Sequence, residues 1–336
     1  MRYATFTAND GCAIAYQTSH FVGPVNSGDG AVSEEQSYAS SAKSGSLSTC
    51  ILLLHGFSGS SDYFVRNTNE LSQEHWVIAP DLRGHGQSQH TSHGYHVARL
   101  AMDLHELVTG VIKPRDQNIR IYATGCSIGA AVLWTYVELF TDADFAGLIF
   151  VDQAPLQDRC VFDSWGPELA HYGCYDEATT LEAQRAWASD DPQVREQTYV
   201  GLVMSCLGYR YAPMPSDKVT EEQKRADEDF FVAISRTCNG PWLARLLSDH
   251  TRYDHREAIE QISKPVLVMA GRRSGCFSVA GMEETVRRAK KHKGGNENAK
   301  MVVFDSGHWL FWEESERFNR ELLAFVKSCE TSISLE

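Results

Sequence analysis

The sequence predicts an α/β fold in which helices flank a mostly parallel central sheet and a mainly helical segment interrupts the later part of the chain. From residue 50 onward, apolar runs of strand length alternate with amphipathic runs of helical length, a pattern typical of a parallel sheet covered on both faces. The alternation stops between residues 151 and 266, where the pattern is mainly helical. With 336 residues, 43% of them hydrophobic and 22% charged, the chain can bury a full core.

The N-terminal region predicts a β-hairpin followed by a long insertion. Residues 3–7 and 12–18 favour strands, and the Asn-Asp-Gly sequence at 9–11 between them is a strong turn signal. Residues 26–48 contain eight serines and three glycines with almost no large apolar side chain. This composition predicts a mobile surface insertion.

The elements of the core follow from the alternating pattern in chain order. Strands are predicted at 50–54, 76–79, 119–123, 146–151, 266–270 and 301–304. Helices are predicted between them, notably at 97–111, 128–140, 282–292 and 313–329. The interrupting segment predicts a helical cap, with helices at 180–189 and 222–236, over the strand ends where open α/β sheets bind ligands. We therefore divide the chain into an α/β core, 1–155 and 263–336, and a cap, 156–262.

Composition and charge exclude several classes of protein. Lys and Arg total 31 against 44 for Asp and Glu, and the net charge of -13 repels the phosphate backbone of nucleic acid. The nine cysteines are scattered, without a CxxC pair, which predicts neither a zinc site nor a disulfide framework and favours a reducing compartment. No apolar run approaches the ~20 residues that span a bilayer, and the first residues, MRYATFTANDG, lack a secretory signal. We expect a cytoplasmic protein without nucleic-acid or membrane partners.

The motif GCSIG at 125–129 carries the first candidate catalytic residue. It follows the apolar run IRIYA and precedes the helical run AAVLWTYVELF. A G-x-S-x-G motif between a strand and a helix is typical of a nucleophile elbow, in which small neighbours allow a strained turn that raises the serine above the sheet. Ser127 is the predicted nucleophile. The alternative is that the glycines only permit a tight turn.

Three further motifs accompany this serine. HGFSG at 55–59 follows the run ILLL, DLRGHGQS occupies 81–88, and SGH at 306–308 precedes a long helical run. Together with GCSIG, and in this order, they resemble the α/β-hydrolase fold family of capped serine hydrolases. The resemblance covers nearly all of the chain apart from 26–48.

The resemblance implies roles for individual residues. His308 would remove the proton from Ser127, since a serine hydroxyl is a weak nucleophile until a base activates it. The backbone amides of Phe57 and Ile128 would stabilise the negative charge that acyl transfer builds on the carbonyl oxygen. Neither a metal nor a cofactor is implied. A structural or metal-binding role is the alternative for His308, and a sharp backbone turn is the alternative for the loop at Phe57. We assign His55, His85 and the DLRGHGQS turn to loop structure.

The acid of the expected triad is not at its usual place. Family members usually carry an aspartate three residues after the glycine that ends KPVLVMAG, where this chain has Ser274. Asp152 closes the preceding strand, and because neighbouring strands lie about 4.8 Å apart it could reach the same histidine. One group of haloalkane dehalogenases and the fungal zearalenone lactonases have a similar acid position. We therefore predict that Asp152 is the acid and that Ser274 is nearly dispensable. Alternatives are a strand-capping role for Asp152 and an acid supplied by Asp305, Glu283 or Asp158.

The residues and the resemblance together favour a cofactor-independent serine hydrolase that cleaves a carboxylic ester or lactone through an acyl-enzyme. The expected partner is a small molecule, an apolar or aromatic ester or lactone. A C–C bond hydrolase or lyase with the same Ser-His pair and a small-molecule receptor of the same fold are the alternatives. Substrate identity and oligomeric state do not follow from the sequence.

Overall fold

A computed structural model of the chain describes residues 1–20, 48–157, 166, 169, 177–292 and 298–333. The insertion predicted at 26–48 lies outside these residues except for Ser48, and so does Asp158. Among the described residues, no helix combines the length and the apolar character needed to cross a membrane.

The centre of the molecule is one eight-stranded sheet, which confirms the predicted fold class. Its strands are β1 (Arg2–Thr7), β2 (Ala13–Thr18), β3 (Thr49–Leu54), β4 (Trp76–Pro80), β5 (Arg120–Cys126), β6 (Gly147–Val151), β7 (Val266–Gly271) and β8 (Ala299–Phe304). They lie in the order β1-β2-β4-β3-β5-β6-β7-β8. The predicted hairpin is confirmed, because β1 pairs antiparallel with β2. β2 is also antiparallel to β4, whereas all pairs from β4 to β8 are parallel.

Helices cover the sheet, and others lie in the described part of the chain between β6 and β7. They are α1 (Thr68–Leu71), α2 (Val97–Leu107), α3 (Ile128–Phe140), α4 (Glu177–Trp187), α5 (Pro192–Cys206), α6 (Gly208–Tyr211), α7 (Glu221–Arg236), α8 (Gly240–Arg252), α9 (Arg256–Glu260), α10 (Val279–Ala289), α11 (Leu310–Glu313) and α12 (Ser315–Ile333). The predicted core helices correspond to α2, α3, α10 and α12, and the two named cap segments correspond to α4 and α7. The sequence analysis did not place α5 and α8 individually.

The central strands are buried on both faces, as their composition requires. The runs TCILLL, WVIAP, GLIFV and VLVMAG are buried at every position, which is typical of parallel strands between two helical layers. Helix α3 is buried from Ile128 to Val137, so it forms part of the core and does not lie on the surface. Because this helix begins directly after Ser127, the backbone of that serine is anchored to a buried helix.

The helices between β6 and β7 begin at recognisable sequence signals. Asp191 caps α5 by accepting a hydrogen bond from the Gln193 amide, and a proline follows at the first helical position. Thr220 and Gln223 form a reciprocal capping box at the start of α7. Asn239 caps α8 in the same way as Asp191 caps α5. The helices of this interval pack in pairs, α4 against α8 and α5 against α7.

Candidate active site

Ser127 occupies a strained turn between β5 and α3. Its φ of 53° lies in the left-handed region that residues other than glycine rarely adopt, and its amide donates to the carbonyl of Val151 at 2.9 Å. A Cβ on Gly125 would lie 2.4 Å from the Gly129 carbonyl oxygen, and one on Gly129 would lie 2.7 Å from the Leu54 carbonyl oxygen. The turn therefore requires both glycines of the motif, as a nucleophile elbow does.

Asp152 and His308 form a buried charge-assisted pair. The Nδ1 atom of His308 lies 2.6 Å from Oδ2 of Asp152, and the exposed fractions of the two side chains are 5% and 1%. The two residues are 156 positions apart in the chain, but they meet because β6 and the loop after β8 end at the same edge of the sheet. Asp152 thus holds the histidine ring through the nitrogen that a triad acid contacts.

Two further groups donate hydrogen bonds to the Asp152 carboxylate. The Gly271 amide contacts Oδ1 at 2.9 Å, and the Ser274 hydroxyl contacts Oδ2 at 2.7 Å. Burial raises the pKa of Asp152 above its ordinary value, while the contacts with His308, Ser274 and Gly271 act in the opposite direction. Ser274, for which the sequence suggested no role, therefore helps to solvate a carboxylate that is shielded from water.

Two other candidate acids, Asp305 and Glu283, belong to the described residues, and both are exposed. Asp305 is 51% exposed and faces Arg272 and Arg273, with its Oδ1 atom 3.9 and 3.8 Å from their guanidinium nitrogens. Glu283 is exposed on α10. Of the described carboxylates that the sequence proposed, only Asp152 reaches the histidine ring.

A narrow cavity of about 60 Å³ joins the candidate residues. It is lined by Gly56, Phe57, Ser127, Gln157, Leu202, Cys206, Leu247, His250, Cys276, Phe277, His308 and Trp309. Most of these side chains are apolar. Besides Ser127 and His308, the polar lining residues with long side chains are Gln157 and His250, whose Nε2 atoms lie 2.6 Å apart.

The sequence analysis missed several of these lining residues. Leu202 and Cys206 come from α5, and Leu247 and His250 come from α8. No motif marks them, because they approach Ser127 only through the packing of helices that are distant from it in the chain. The capping residues Asp191 and Asn239 were the available signals for these two helices.

The two predicted oxyanion donors lie beside the serine. A Cβ on Gly56 would lie 3.1 Å from Cβ of Ser127, so the backbone leading to Phe57 runs against the nucleophile. Ile128 is the first residue of α3, where the amide groups point out of the helix and its dipole favours negative charge. Among the described residues, neither amide donates a hydrogen bond to another backbone group.

His55 and His85 belong to the loops, as predicted. Nδ1 of His55 lies 2.7 Å from the Gly56 carbonyl oxygen, while its Nε2 accepts from the Leu82 amide at 2.9 Å. His85 accepts from the Ser58 amide at 3.3 Å. Burial lowers the pKa of His55 to about 4 and that of His85 to about 3. Both rings are therefore neutral at pH 7 and fix the backbone on either side of Phe57.

The DLRGHGQS turn is likewise structural. Asp81 accepts from the amides of Ser61 and Gln87 at 2.6 and 2.7 Å. The buried Arg83 side chain forms ion pairs with Asp103 and Asp10 at 2.8 Å. The ion pairs of Arg83 tie the turn to helix α2, which carries Asp103, and to the N-terminal hairpin, which carries Asp10. The prediction that this motif stabilises loops is confirmed.

A family model and curated relatives match this chain over most of its length. The model described as alpha/beta hydrolase fold matches residues 49–315. A 2-(acetamidomethylene)succinate hydrolase from Mesorhizobium japonicum is 24% identical over 237 residues, which cover 70% of this chain and 75% of that protein. An AB hydrolase superfamily protein, YisY, from Bacillus subtilis is 25% identical over 293 residues, which cover 83% of this chain and 91% of that protein.

Solved structures show the same fold at low sequence identity. A bromoperoxidase from Bacillus anthracis has a TM-score of 0.73 at 18% identity, covering 97% of this chain and 100% of that one. An esterase from Exiguobacterium antarcticum has a TM-score of 0.71 at 17% identity, covering 96% and 98%. An enol-lactonase from Burkholderia xenovorans has a TM-score of 0.69 at 15% identity, covering 96% and 100%. At these identities the likeness concerns the fold alone.

Proposed function

Because this chain belongs to the α/β hydrolase fold family, we propose that it is a cofactor-independent serine hydrolase that cleaves a carboxylic ester or lactone through an acyl-enzyme. The observation that carries the proposal is the 2.6 Å contact between Nδ1 of His308 and buried Asp152, next to a cavity that Ser127 and His308 share. A histidine with a purely structural role in the core has no need of a buried carboxylate partner. A catalytic histidine does, because it becomes a cation during acyl transfer.

Each group has a defined task in this mechanism. Ser127 attacks the substrate carbonyl while His308 takes its hydroxyl proton, and Asp152 fixes the tautomer of the ring and stabilises the imidazolium. The amides of Phe57 and Ile128 stabilise the oxyanion, a contribution of about 3 kcal/mol for each donor in comparable sites. His308 then returns the proton to the leaving alcohol, and water releases the acyl group by the same steps in reverse order.

The lining of the cavity limits the acyl group. Phe57, Phe277 and Trp309 contribute three aromatic side chains to a mostly apolar wall, which favours a small apolar or aromatic substrate. In this proposal, residues 1–155 and 263–336 form the catalytic core and 156–262 form the cap that shapes the pocket. The neighbours in fold include esterases and an enol-lactonase, which supports the ester and lactone class.

Active-site labelling tests the proposal. The protein is treated with a fluorophosphonate, and the modified peptide is identified by mass spectrometry beside a Ser127→Ala control. We expect one adduct, on Ser127, together with turnover of p-nitrophenyl acetate that the control lacks. An unlabelled serine with no ester turnover would sink the hydrolase proposal. In that case, a lactone that binds but is not consumed would favour the receptor alternative.

A further inference from the structure

Two buried cysteines meet at the wall of the catalytic cavity. Cys206 is the last residue of α5, and Cys276 lies in the loop after β7. Their Sγ atoms are 3.6 Å apart, neither residue forms a disulfide, and both line the cavity. The residues are 70 positions apart, so no spacing motif joins them. This explains why the sequence analysis predicted no metal site.

His308 completes a set of three soft or borderline ligands around one point. One ring nitrogen of His308 and the two sulfur atoms all lie within 4.8 Å of one another. In a tetrahedral zinc site, bond lengths of about 2.3 Å to sulfur and 2.0 Å to nitrogen separate neighbouring ligand atoms by roughly 3.5–3.8 Å. The two sulfurs already have this separation, and side-chain movements of about 1 Å bring in the nitrogen.

The surroundings of these residues resemble those of a metal site. Asp152 holds Nδ1 of His308 at 2.6 Å, which is the carboxylate–histidine arrangement that orients imidazole ligands in zinc proteins. Cys206 closes a helix of 15 residues, and the partial negative charge at a helix C-terminus favours a nearby cation. All three candidate ligands face the cavity, which gives an ion a route of entry and room for a water molecule as fourth ligand.

We infer that Cys206, Cys276 and His308 form a binding site for a thiophilic divalent cation such as Zn²⁺. The ion forms bonds with both sulfurs and the ring nitrogen, and each thiol releases its proton to solvent. The exchange needs no oxidant. The charge of the ion balances the two thiolates, so that the Asp152 carboxylate remains the partner of the histidine.

Occupation of this site has a direct consequence for turnover. A histidine nitrogen bound to a metal ion has no lone pair left to accept the proton of Ser127. The bound ion therefore inhibits the enzyme, and a chelator reverses the inhibition. This consequence rests on the proposed function, whereas metal binding itself does not.

Direct binding is measured on the reduced, metal-free protein. Co²⁺ is added in the presence of a phosphine reductant, and visible and near-ultraviolet spectra are recorded. Zn²⁺ affinity is then obtained by competition. We expect one ion per chain, with the absorption of tetrahedral cobalt and thiolate-to-metal charge transfer. Cys206→Ser and Cys276→Ser should each weaken binding at least about tenfold, whereas Cys329→Ser, a buried thiol on α12, should leave it unchanged.

The outcomes separate this inference from the proposed function. Absence of the charge-transfer band, or binding by both cavity variants as tight as that of the wild type, would show that the three residues form no site. If either serine variant unfolds, the corresponding alanine variant with a native circular dichroism spectrum replaces it. In the activity assay, Zn²⁺ should inhibit the wild type and the Cys329→Ser control alike, and each cavity variant should need at least about tenfold more Zn²⁺ relative to its own uninhibited rate. Metal binding without any esterase activity would contradict the proposed function alone.

Discussion

The ends of β6 and β7 lie side by side in the sheet, yet one carries a carboxylate and the other a hydroxyl. Val151, the last residue of β6, pairs with Met269 of β7 in parallel register. Asp152 follows β6 directly, whereas Ser274 lies three residues beyond the end of β7. Both side chains converge on one point, since Oδ2 of Asp152 contacts His308 Nδ1 at 2.6 Å and Ser274 Oγ at 2.7 Å. The register of the two strands thus brings a carboxylate from the end of β6 and a hydroxyl from the turn after β7 to the same place beside His308.

The backbones at the two strand ends differ in a way that suits these roles. Asp152 still donates its amide to Met269 across the sheet at 2.8 Å, and then bends sharply with a φ of 47°. Ser274 closes a turn instead, because its hydroxyl oxygen accepts from the amides of Cys276 and Phe277 at 3.1 and 3.2 Å. With its oxygen occupied by two donors, Ser274 directs its single proton to the carboxylate. The turn after β7 therefore donates a hydrogen bond to the carboxylate at the end of β6.

The largest expected effect comes from removing the charge at the end of β6. Asp152→Asn should lower kcat/KM for p-nitrophenyl acetate by on the order of 10⁴, because an amide cannot stabilise the imidazolium and can stabilise the wrong tautomer. Steady-state kinetics at pH 7 measure this loss, with circular dichroism to verify the fold. Activity that survives within a few-fold would mean that the acid lies elsewhere.

Ser274→Ala is the matched control at the end of β7. It removes one hydrogen bond to the carboxylate and leaves the charge, so the expected loss is only about 3- to 10-fold. The acidic limb of the pH–rate profile should move to higher pH, because the Ser274 hydrogen bond lowers the pKa of Asp152. A loss of activity as large as that of Asp152→Asn would mean that Ser274 is as important to the reaction as Asp152, which contradicts the different roles proposed for them.

Exchanging the two side chains tests the spatial requirement itself. The double variant Asp152→Ser/Ser274→Asp keeps one carboxylate and one hydroxyl near His308 while it moves the charge from β6 to β7. We expect about 10- to 100-fold more activity than in Asp152→Ser alone, since a displaced carboxylate still stabilises the imidazolium. The comparison uses the same ester under the same conditions. No recovery would show that the sharp bend after β6, and not the charge alone, determines the acid.

Much of the fold and the centre of the site could be predicted from the sequence. The runs of buried strand residues and the G-x-S-x-G turn are local signals, and Ser127, His308 and Asp152 each follow such a run. The lining of the cavity is different. Helix α5 buries Tyr199, Val203 and Cys206 but exposes Val200 and Met204, so its apolar residues are not confined to one face in the pattern that marks a surface helix.

The supporting contacts could not be predicted for a related reason. Ser274 and Asp152 are 122 positions apart, and Gln157 and His250 are 93 apart. Each pair depends on the register of neighbouring strands or on the packing of inserted helices. A single residue outside any motif does not show which distant residue it contacts in the folded protein. Helix α8 was more accessible, because Asn239 caps it and an apolar stripe of Trp242, Leu243, Leu246 and Leu247 follows.

Another carboxylate, that of Glu313, lies near His308 without contacting its ring. One of its oxygens accepts from the amides of Gly208 and Gly307, each at 2.9 Å, and so ties α6 to the residue before His308. Burial raises the pKa of Glu313 from 4.5 to about 7, and hydrogen bonds from these amides act in the opposite direction. A substitution of Glu313 therefore tests whether a carboxylate must contact the His308 ring, as Asp152 does, or need only lie near it.

The smallest effect on activity is therefore expected for Glu313→Gln, which keeps the accepting oxygen and should change kcat/KM by less than about 3-fold. Its effect on stability depends on pH. Between pH 4.5 and 7 the folded protein retains a proton on Glu313 that the unfolded chain has lost, so the free energy of unfolding of the wild type falls as pH rises through this window.

Urea denaturation at pH 5 and pH 8 measures this difference. The wild type should lose on the order of 2 kcal/mol more stability than Glu313→Gln between these values, a figure that allows for partial exposure of the carboxylate to solvent. Glu283→Gln, at an exposed position of α10, removes the same charge and should track the wild type. Equal pH dependence in all three proteins would show that Glu313 titrates as it does in water. A large loss of activity in Glu313→Gln would instead mean that a carboxylate acts on His308 without contacting it, which would remove the distinction between Asp152 and its neighbours.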